Sequence, residues 1–112
     1  MDKNKKYYQN FERIESLENE LGIRIEGLNA IVQEDDDVIS IDILGEVYST
    51  NGSTIDDNID IYVTAFDAQG RVIETGSSII LADNFKVLTQ LSIYLDDLIS
   101  VPDKIRIYPQ KT

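Results

Sequence analysis

From Ile23 to Ile107 apolar and polar residues alternate with a period of two, and this restricts the fold more than any other feature of the chain. In "VISIDILGEVY" Ile39, Ile41, Ile43, Gly45 and Val47 fall on one side, with Ser40, Asp42, Leu44 and Glu46 on the other. "NIDIYVTAFD" repeats the pattern, Ile59, Ile61, Val63 and Ala65 opposing Asp60, Tyr62, Thr64 and Phe66. In "GIRIEGLNAIV" the same reading sends Ile23, Ile25, Gly27, Asn29 and Ile31 one way. "RVIETGSSIIL", "FKVLTQLSIYL" and "DKIRIYPQ" complete six runs, rich in β-branched and aromatic residues and separated by turn residues. Successive side chains of a strand point to opposite faces, so alternation gives antiparallel sheets with one face buried, unlike the continuous apolar runs of a parallel sheet. Two such sheets bury their apolar faces against each other. The prediction is an all-β antiparallel β-sandwich of about six to seven strands, with a small barrel as the alternative closure. At 112 residues the chain is long enough for one core and too short for two.

Upstream the period changes. "FERIESLENELG" places Phe11, Ile14, Leu17 and Leu21 at helical spacing, with charged residues between them and Gly22 where a helix C-terminus expects it. This predicts a short N-terminal amphipathic helix whose stripe packs as a lid on the sandwich or docks a partner. The preceding "MDKNKKYYQN" is polar apart from two tyrosines and is expected to fray. The chain therefore divides into a mobile segment with a short helix over 1–22 and a β-sandwich domain over 23–112.

"FDAQGR" reads as a hairpin turn. The Asp67 carboxylate can bond to backbone amides further on, and Gly70 supplies a left-handed residue for a bulged loop. Asn51-Gly52 is a second point of punctuation and could close a tight hairpin. Pro102 ends a connection, and Pro109 marks an edge or the chain's exit from the sheet.

The run Gly45-Glu46-Val47, Asn51-Gly52 and then "IDIYVTAFDAQGRVIETG" resembles the bacterial FxLYD-type domains. In those immunoglobulin-like sandwiches a "G-x-V-x-N" strand precedes an apolar strand ending in an aromatic residue, Asp and a Gly turn. The match covers about the middle third of the chain and continues through Phe85 and Leu95 to the last strand. It departs where the family has Leu-Tyr-Asp, since this chain has Ala65-Phe66-Asp67, and the family pattern supplies no N-terminal helix. The resemblance implies an immunoglobulin-like fold, an envelope or extracytoplasmic setting, and no catalytic residues.

Composition narrows the chemistry. The chain has no cysteine and no histidine, which removes disulfides, thiolates, the commonest general base and the commonest transition-metal ligand. A serine nucleophile would need one of few lysines as its base, and no glycine-rich loop has phosphate-cradling spacing. Carboxylate pairs abound, so a small carboxylate-dependent hydrolase is a third-ranked reading. The net charge of −11 repels phosphate backbones and anionic lipid, which argues against nucleic acid even with Lys3, Lys5 and Lys6 forming a basic arm. No apolar run approaches a membrane span, and Met1-Asp2-Lys3-Asn4 leads into no signal-peptide core. The default location is cytoplasmic, or extracytoplasmic if Met1 was placed on a mature exported domain.

The acids are not evenly spread. With strands alternating in direction, the first, third and fifth connections share one end of the sandwich. They carry Glu34, Asp35, Asp36 and Asp37, then Asp67, then Asp96, Asp97 and Asp103. Hard cations take roughly six to eight oxygen ligands, so Asp36, Asp37, Asp67, Asp96 and Asp97 are candidate calcium ligands. "EDDD" does not have EF-hand spacing, and a run of like charge is usually a solvated loop. The leading reading is a non-catalytic accessory or protein-interaction module, monomeric or weakly dimeric, without a cofactor. Its interaction residues would be Phe11, Ile14, Leu17 and Leu21. A calcium-dependent binding or adhesion module is the alternative.

Overall fold

A computed structural model of the chain describes residues 5–112. Eight strands form two four-stranded sheets: β1 (Lys5–Tyr8), β3 (Ile23–Asp35), β4 (Val38–Ser49) and β7 (Leu88–Leu98) in the first, and β2 (Phe11–Arg13), β8 (Lys104–Lys111), β5 (Ile59–Phe66) and β6 (Val72–Ile80) in the second. All pairings are antiparallel except β2 with β8. The architecture is a β-sandwich, as the alternation predicts. Its additional strands come from the N-terminal segment. Lys5–Tyr8, expected to fray, pairs with Ala30–Gln33, while residues 1–4, including Lys3, lie outside the described region. Among the described residues no helix is long and apolar enough to cross a membrane.

The alternation places the core directly. Ile59, Ile61, Val63 and Ala65 of β5 are all buried and meet Ile41, Ile43 and Val47 of β4 and Ile105 and Ile107 of β8 in one cluster. β3 departs from the expected phase. A bulge between Glu26 and Asn29 inserts an extra residue, so Ile23 and Ile25 point inward before it and Ala30 and Val32 after it. Asn29 and Ile31, expected on the Ile23 side, therefore lie on the outer face. The edges of the sheets draw together where β6 passes β7. A Cβ on Gly76 would stand 2.7 Å from Leu95 Cδ2 and 3.2 Å from Ile93 Cγ2, so a larger residue there would have to displace the Leu95 side chain.

The helix is shorter than its apolar spacing predicts. Phe11–Arg13 is extended and pairs with Ile105–Ile107 of β8, leaving α1 only Glu15–Glu20, with Ile14 as a cap that makes no side-chain bond. A helix so short has little intrinsic stability, and pairing the open edge of β8 outweighs it. The expected stripe is accordingly dispersed: Phe11 lies on a strand, Ile14 at the cap, and Leu17 and Leu21 are half-buried. The buried residue of α1 is Glu18, 1% exposed.

The Asp67 turn forms as predicted. Asp67 Oδ1 accepts the amides of Gln69 and Arg71, each at 2.9 Å, Gly70 N donates to Asp67 O at 3.0 Å, and Gly70 has φ +80°. The adjoining bulge lies at Ala65/Phe66. Asn51-Gly52 does not close a hairpin. It begins a longer connection that carries the chain from β4 in one sheet to β5 in the other.

Candidate interaction face

The outer face of the second sheet is a grid fixed by strand register. Its rows across β8, β5 and β6 are Lys104–Phe66–Val72, Arg106–Thr64–Thr75, Tyr108–Tyr62–Ser77 and Gln110–Asp60–Ile79. Glu12 joins the second row from β2, opposite Arg106. Inward residues of β5, and of β8 as far as Pro109, are apolar, so the period of two puts this aromatic, hydroxyl and cationic set half-exposed on the outer face.

The grid is ordered by contacts among its own side chains. The Phe66 ring carries two cations, with Lys104 Nζ 5.0 Å and Arg106 Cζ 4.9 Å from its centroid. Both cations also reach one carboxylate: Glu12 accepts from Arg106 Nε and, at 3.2 Å, from Lys104 Nζ. The Arg106 hydrogen bond, then that of Lys104, holds the Glu12 carboxyl below its ordinary range. Next along the strands the Tyr62 and Tyr108 rings stack at 5.8 Å with 28° between their planes. Along the outer strand Val72 and Ile79 stand 57% and 52% exposed. The face thus combines stacked aromatics, a braced cation pair and exposed apolar residues.

The acidic end is built differently. Strand register does bring its connections together: Asp36 and Asp37 tip the β3–β4 hairpin, Leu98 lies beside Ile39, and Asp103 N donates to Phe66 O next to Asp67. Asp36 and Asp37 have φ of +48° and +69°, the left-handed pair that a two-residue type I′ turn demands and that aspartate tolerates. The run of acids is therefore turn chemistry in part. Asp67 spends its carboxylate on its own turn and on Arg71 Nε at 2.9 Å, and Asp96 Oδ1 accepts the amide of Asp97. Among the described residues no group of three or more acids is arranged to hold a metal ion, so the five candidate ligands share an end without forming a coordination shell.

Of the helix candidates, Leu17 and Leu21 line a shallow groove with Tyr108 and Pro109, while Phe11 packs against Tyr8 and the core. Tyr62, Phe66, Lys104, Arg106 and Tyr108 went unread as a set because each lies on the solvent side of its own strand. The signal was present in "IYVTAF" and "KIRIYPQ", where two alternating strands carry aromatics and cations on the polar side. Only the β5–β8 register, which local sequence does not specify, joins them. No family model matches the chain, and no curated protein or solved structure matches it either.

Proposed function

We propose that the chain is a non-catalytic protein-interaction module that docks its partner on the outer face of the second sheet. The observation that carries this reading is the braced aromatic and cationic grid of Tyr62, Phe66, Lys104, Arg106 and Tyr108. Tyrosine and arginine are the residue types that anchor protein interfaces, and side chains already held in place lose little freedom on binding. A carboxylate hydrolase draws no support from this geometry, and in this reading no residue acts in catalysis. The immunoglobulin-like, FxLYD-type assignment is likewise a proposal. The split of the N-terminal segment between both sheets suits a sandwich of that general kind. The β3–β4 hairpin within one sheet differs from the constant-type arrangement, in which the second and third strands lie in opposite sheets.

A photo-crosslinking residue at Thr64, compared with one at Ser92 on the outer face of the first sheet, tests the reading in extracts of the source cell. The expected result is a discrete adduct from Thr64, whose captured protein binds the purified domain and binds Tyr62→Ala/Tyr108→Ala at least tenfold more weakly. Adducts from Ser92 alone, or binding indifferent to the tyrosines, would move the function elsewhere. Calcium-dependent adhesion is the second reading, favoured by the convergence of three acidic connections at one end.

A further inference from the structure

Asn51-Gly52 closes no hairpin, and its surroundings set Asn51 apart from the other asparagines of the described chain. Asn51 and Gly52 are both exposed, and among the described residues nothing hydrogen-bonds the Asn51 side-chain amide or the Gly52 main-chain amide. The Asn51 side chain rests over Gly22, where a Cβ would collide with it. Gly52 has φ +102° and no side chain to shield its nitrogen. The other asparagines are constrained. Asn10 Nδ2 donates to Asp103 O, Asn29 Nδ2 donates to Gly27 O, and Asn58 Oδ1 accepts the amide of Ala82. Asn19 lies in α1 and Asn84 in a 3₁₀ turn, Ala82–Asn84. Each of these precedes a residue that carries a side chain.

A clamp spans the same dipeptide. Val87 has φ +64°, a conformation that a β-branched residue adopts only under constraint, and Leu88 N donates to Lys86 O across it at 2.6 Å. The constraint comes from the two sides of Asn51-Gly52. Ser49 N donates to Val87 O at 3.0 Å, and Val87 N donates to Ser53 O at 2.8 Å. The spacing from Ser49 to Ser53 therefore holds Val87 left-handed at the entry to β7.

We propose that Asn51 is a site of spontaneous deamidation and that its isoaspartate product releases the Val87 clamp. The Gly52 nitrogen gives up its proton to solvent base and attacks Asn51 Cγ. A C–N bond forms, the Cγ–Nδ2 bond breaks, and ammonia departs to leave a five-membered cyclic imide. Water then opens the imide. Addition at Cγ yields aspartate, and addition at the main-chain carbonyl of Asn51 yields isoaspartate, whose main chain runs through Cβ and Cγ. Water is the only co-reactant. Both products add a negative charge at an exposed position, but only isoaspartate adds an atom to the main chain between Ser49 and Ser53. That added length shifts one hydrogen-bond partner of Val87 against the other, and the strained φ relaxes. Gln69-Gly70 is no rival site, since closure there needs a six-membered ring and Gly70 N already donates to Asp67 O.

The test ages the whole protein in warm, mildly alkaline buffer beside a capped peptide of residues 49–53, with peptide mapping by mass spectrometry. The expected result is the mass gain of an amide-to-acid conversion at Asn51, at a rate close to that of the free peptide. The other asparagines should stay intact over that time, and Asn51→Gln should show no gain. The isoaspartate form, resolved by ion exchange, should lose hydrogen-exchange protection at the amides of Val87 and Ser49. Freshly prepared Asn51→Asp carries the same charge on an unaltered main chain and should keep that protection. Conversion that favours another asparagine, or an Asn51 that survives after the peptide has converted, overturns the site. Native protection at both amides in the isoaspartate form, or an equal loss in Asn51→Asp, overturns the release of the clamp.

Discussion

The Arg13 guanidinium grips Glu18 at both oxygens, Nη2 to Oε1 at 2.6 Å and Nε to Oε2 at 3.1 Å, while Glu18 Oε1 also accepts the amide of Ile25 at 3.0 Å. Three elements meet in that one carboxylate: β2, the single-turn helix α1 and the start of β3. Glu18 is the buried charged residue of the described chain, and Arg13 is its counter-ion with 31% of its side chain exposed. A pair of this kind contributes less to net stability than to the uniqueness of the arrangement. It dictates which face of α1 turns inward, where the apolar spacing alone would have chosen Leu17.

Removing one partner should therefore cost far more than replacing both. Glu18→Ala leaves the Ile25 amide without an acceptor and Arg13 with only the exposed Glu15 at 3.9 Å, and urea unfolding is expected to show a loss of about 3 kcal/mol. Arg13→Met/Glu18→Gln retains an acceptor for Ile25 without a charge and should stay within about 1 kcal/mol of the parent. If the double variant is as unstable as the single one, the pair is worth more than its desolvation cost.

Tyr8 carries a polar group with nothing to satisfy it. Its hydroxyl is buried without a hydrogen-bond partner among the described residues, and burial, then the charge of Asp103, pushes its pKa up to about 12. Tyr8→Phe keeps the edge-to-face contact with Phe11 and removes the orphan, so it should stabilise the domain by about 1 kcal/mol. The sign for alkaline pH follows from the direction of the shift. The neutral phenol is favoured in the folded state, so its contribution is complete below pH 10 and is lost as pH rises from there toward 12. The melting temperature of the parent should fall more steeply across that interval than that of Tyr8→Phe. Parallel curves would mean that the hydroxyl is solvated.

The Asp67 turn gives a matched pair of variants. Gly70→Val forces a β-branched residue to positive φ and should cost about 1–2 kcal/mol, though no neighbouring atom obstructs the side chain. Asp67→Asn can still accept from Gln69 and Arg71 and gives up only an exposed ion pair, so its melting temperature should fall slightly. Hydrogen bonds from the Arg71 backbone and side chain hold the Asp67 carboxyl below its ordinary range. Its contribution is thus full above the usual carboxylate pKa and is lost as pH falls through the lowered value. The small advantage of the parent over Asp67→Asn should vanish in acid, and a difference that persists there would assign the effect to something other than charge.

The division between what was legible in the sequence and what was not has physical causes. The inward sets of β4 and β5 could be read outright, because a period of two with one buried face leaves no second choice of side. The phase of β3 after Glu26 could not, since a bulge shifts every later residue to the other face and announces itself only through Gly27-Leu28. The N-terminal helix was overread for a related reason. Phe11, Ile14, Leu17 and Leu21 have helical spacing, but an unpaired edge on β8 draws the first of them into a strand, and no local signal reports the state of a strand distant in sequence. The aromatic and cationic face was hidden in the same way, since Lys104 and Phe66 become neighbours only through the β5–β8 register. The acidic end was legible from topology, because direction reversal at each connection sufficed to collect Asp36, Asp37 and Asp67 at one end, although Asp96 and Asp97 lie in the last residues of β7 and not in the connection that was expected to carry them.

That end supports the last prediction. Crowded carboxylates repel, and either mobile counter-ions or a bound divalent cation would relieve them. Screening requires ionic strength near 0.1 M, where the Debye length is roughly 10 Å, and sodium serves as well as calcium at matched strength. A site saturates instead, stabilising the fold by RT ln(1 + [L]/Kd) at micromolar to millimolar calcium. Asp67 and Asp96 are already engaged with backbone amides, and Asp36 and Asp37 occupy a hairpin tip that their conformation explains. Screening is therefore the expected outcome: sodium chloride raises the melting temperature, and calcium at equal ionic strength adds nothing beyond it. A saturable gain with calcium, abolished in Asp36→Asn/Asp97→Asn, would instead establish the acidic end as a cation site and raise the adhesion reading above the docking face.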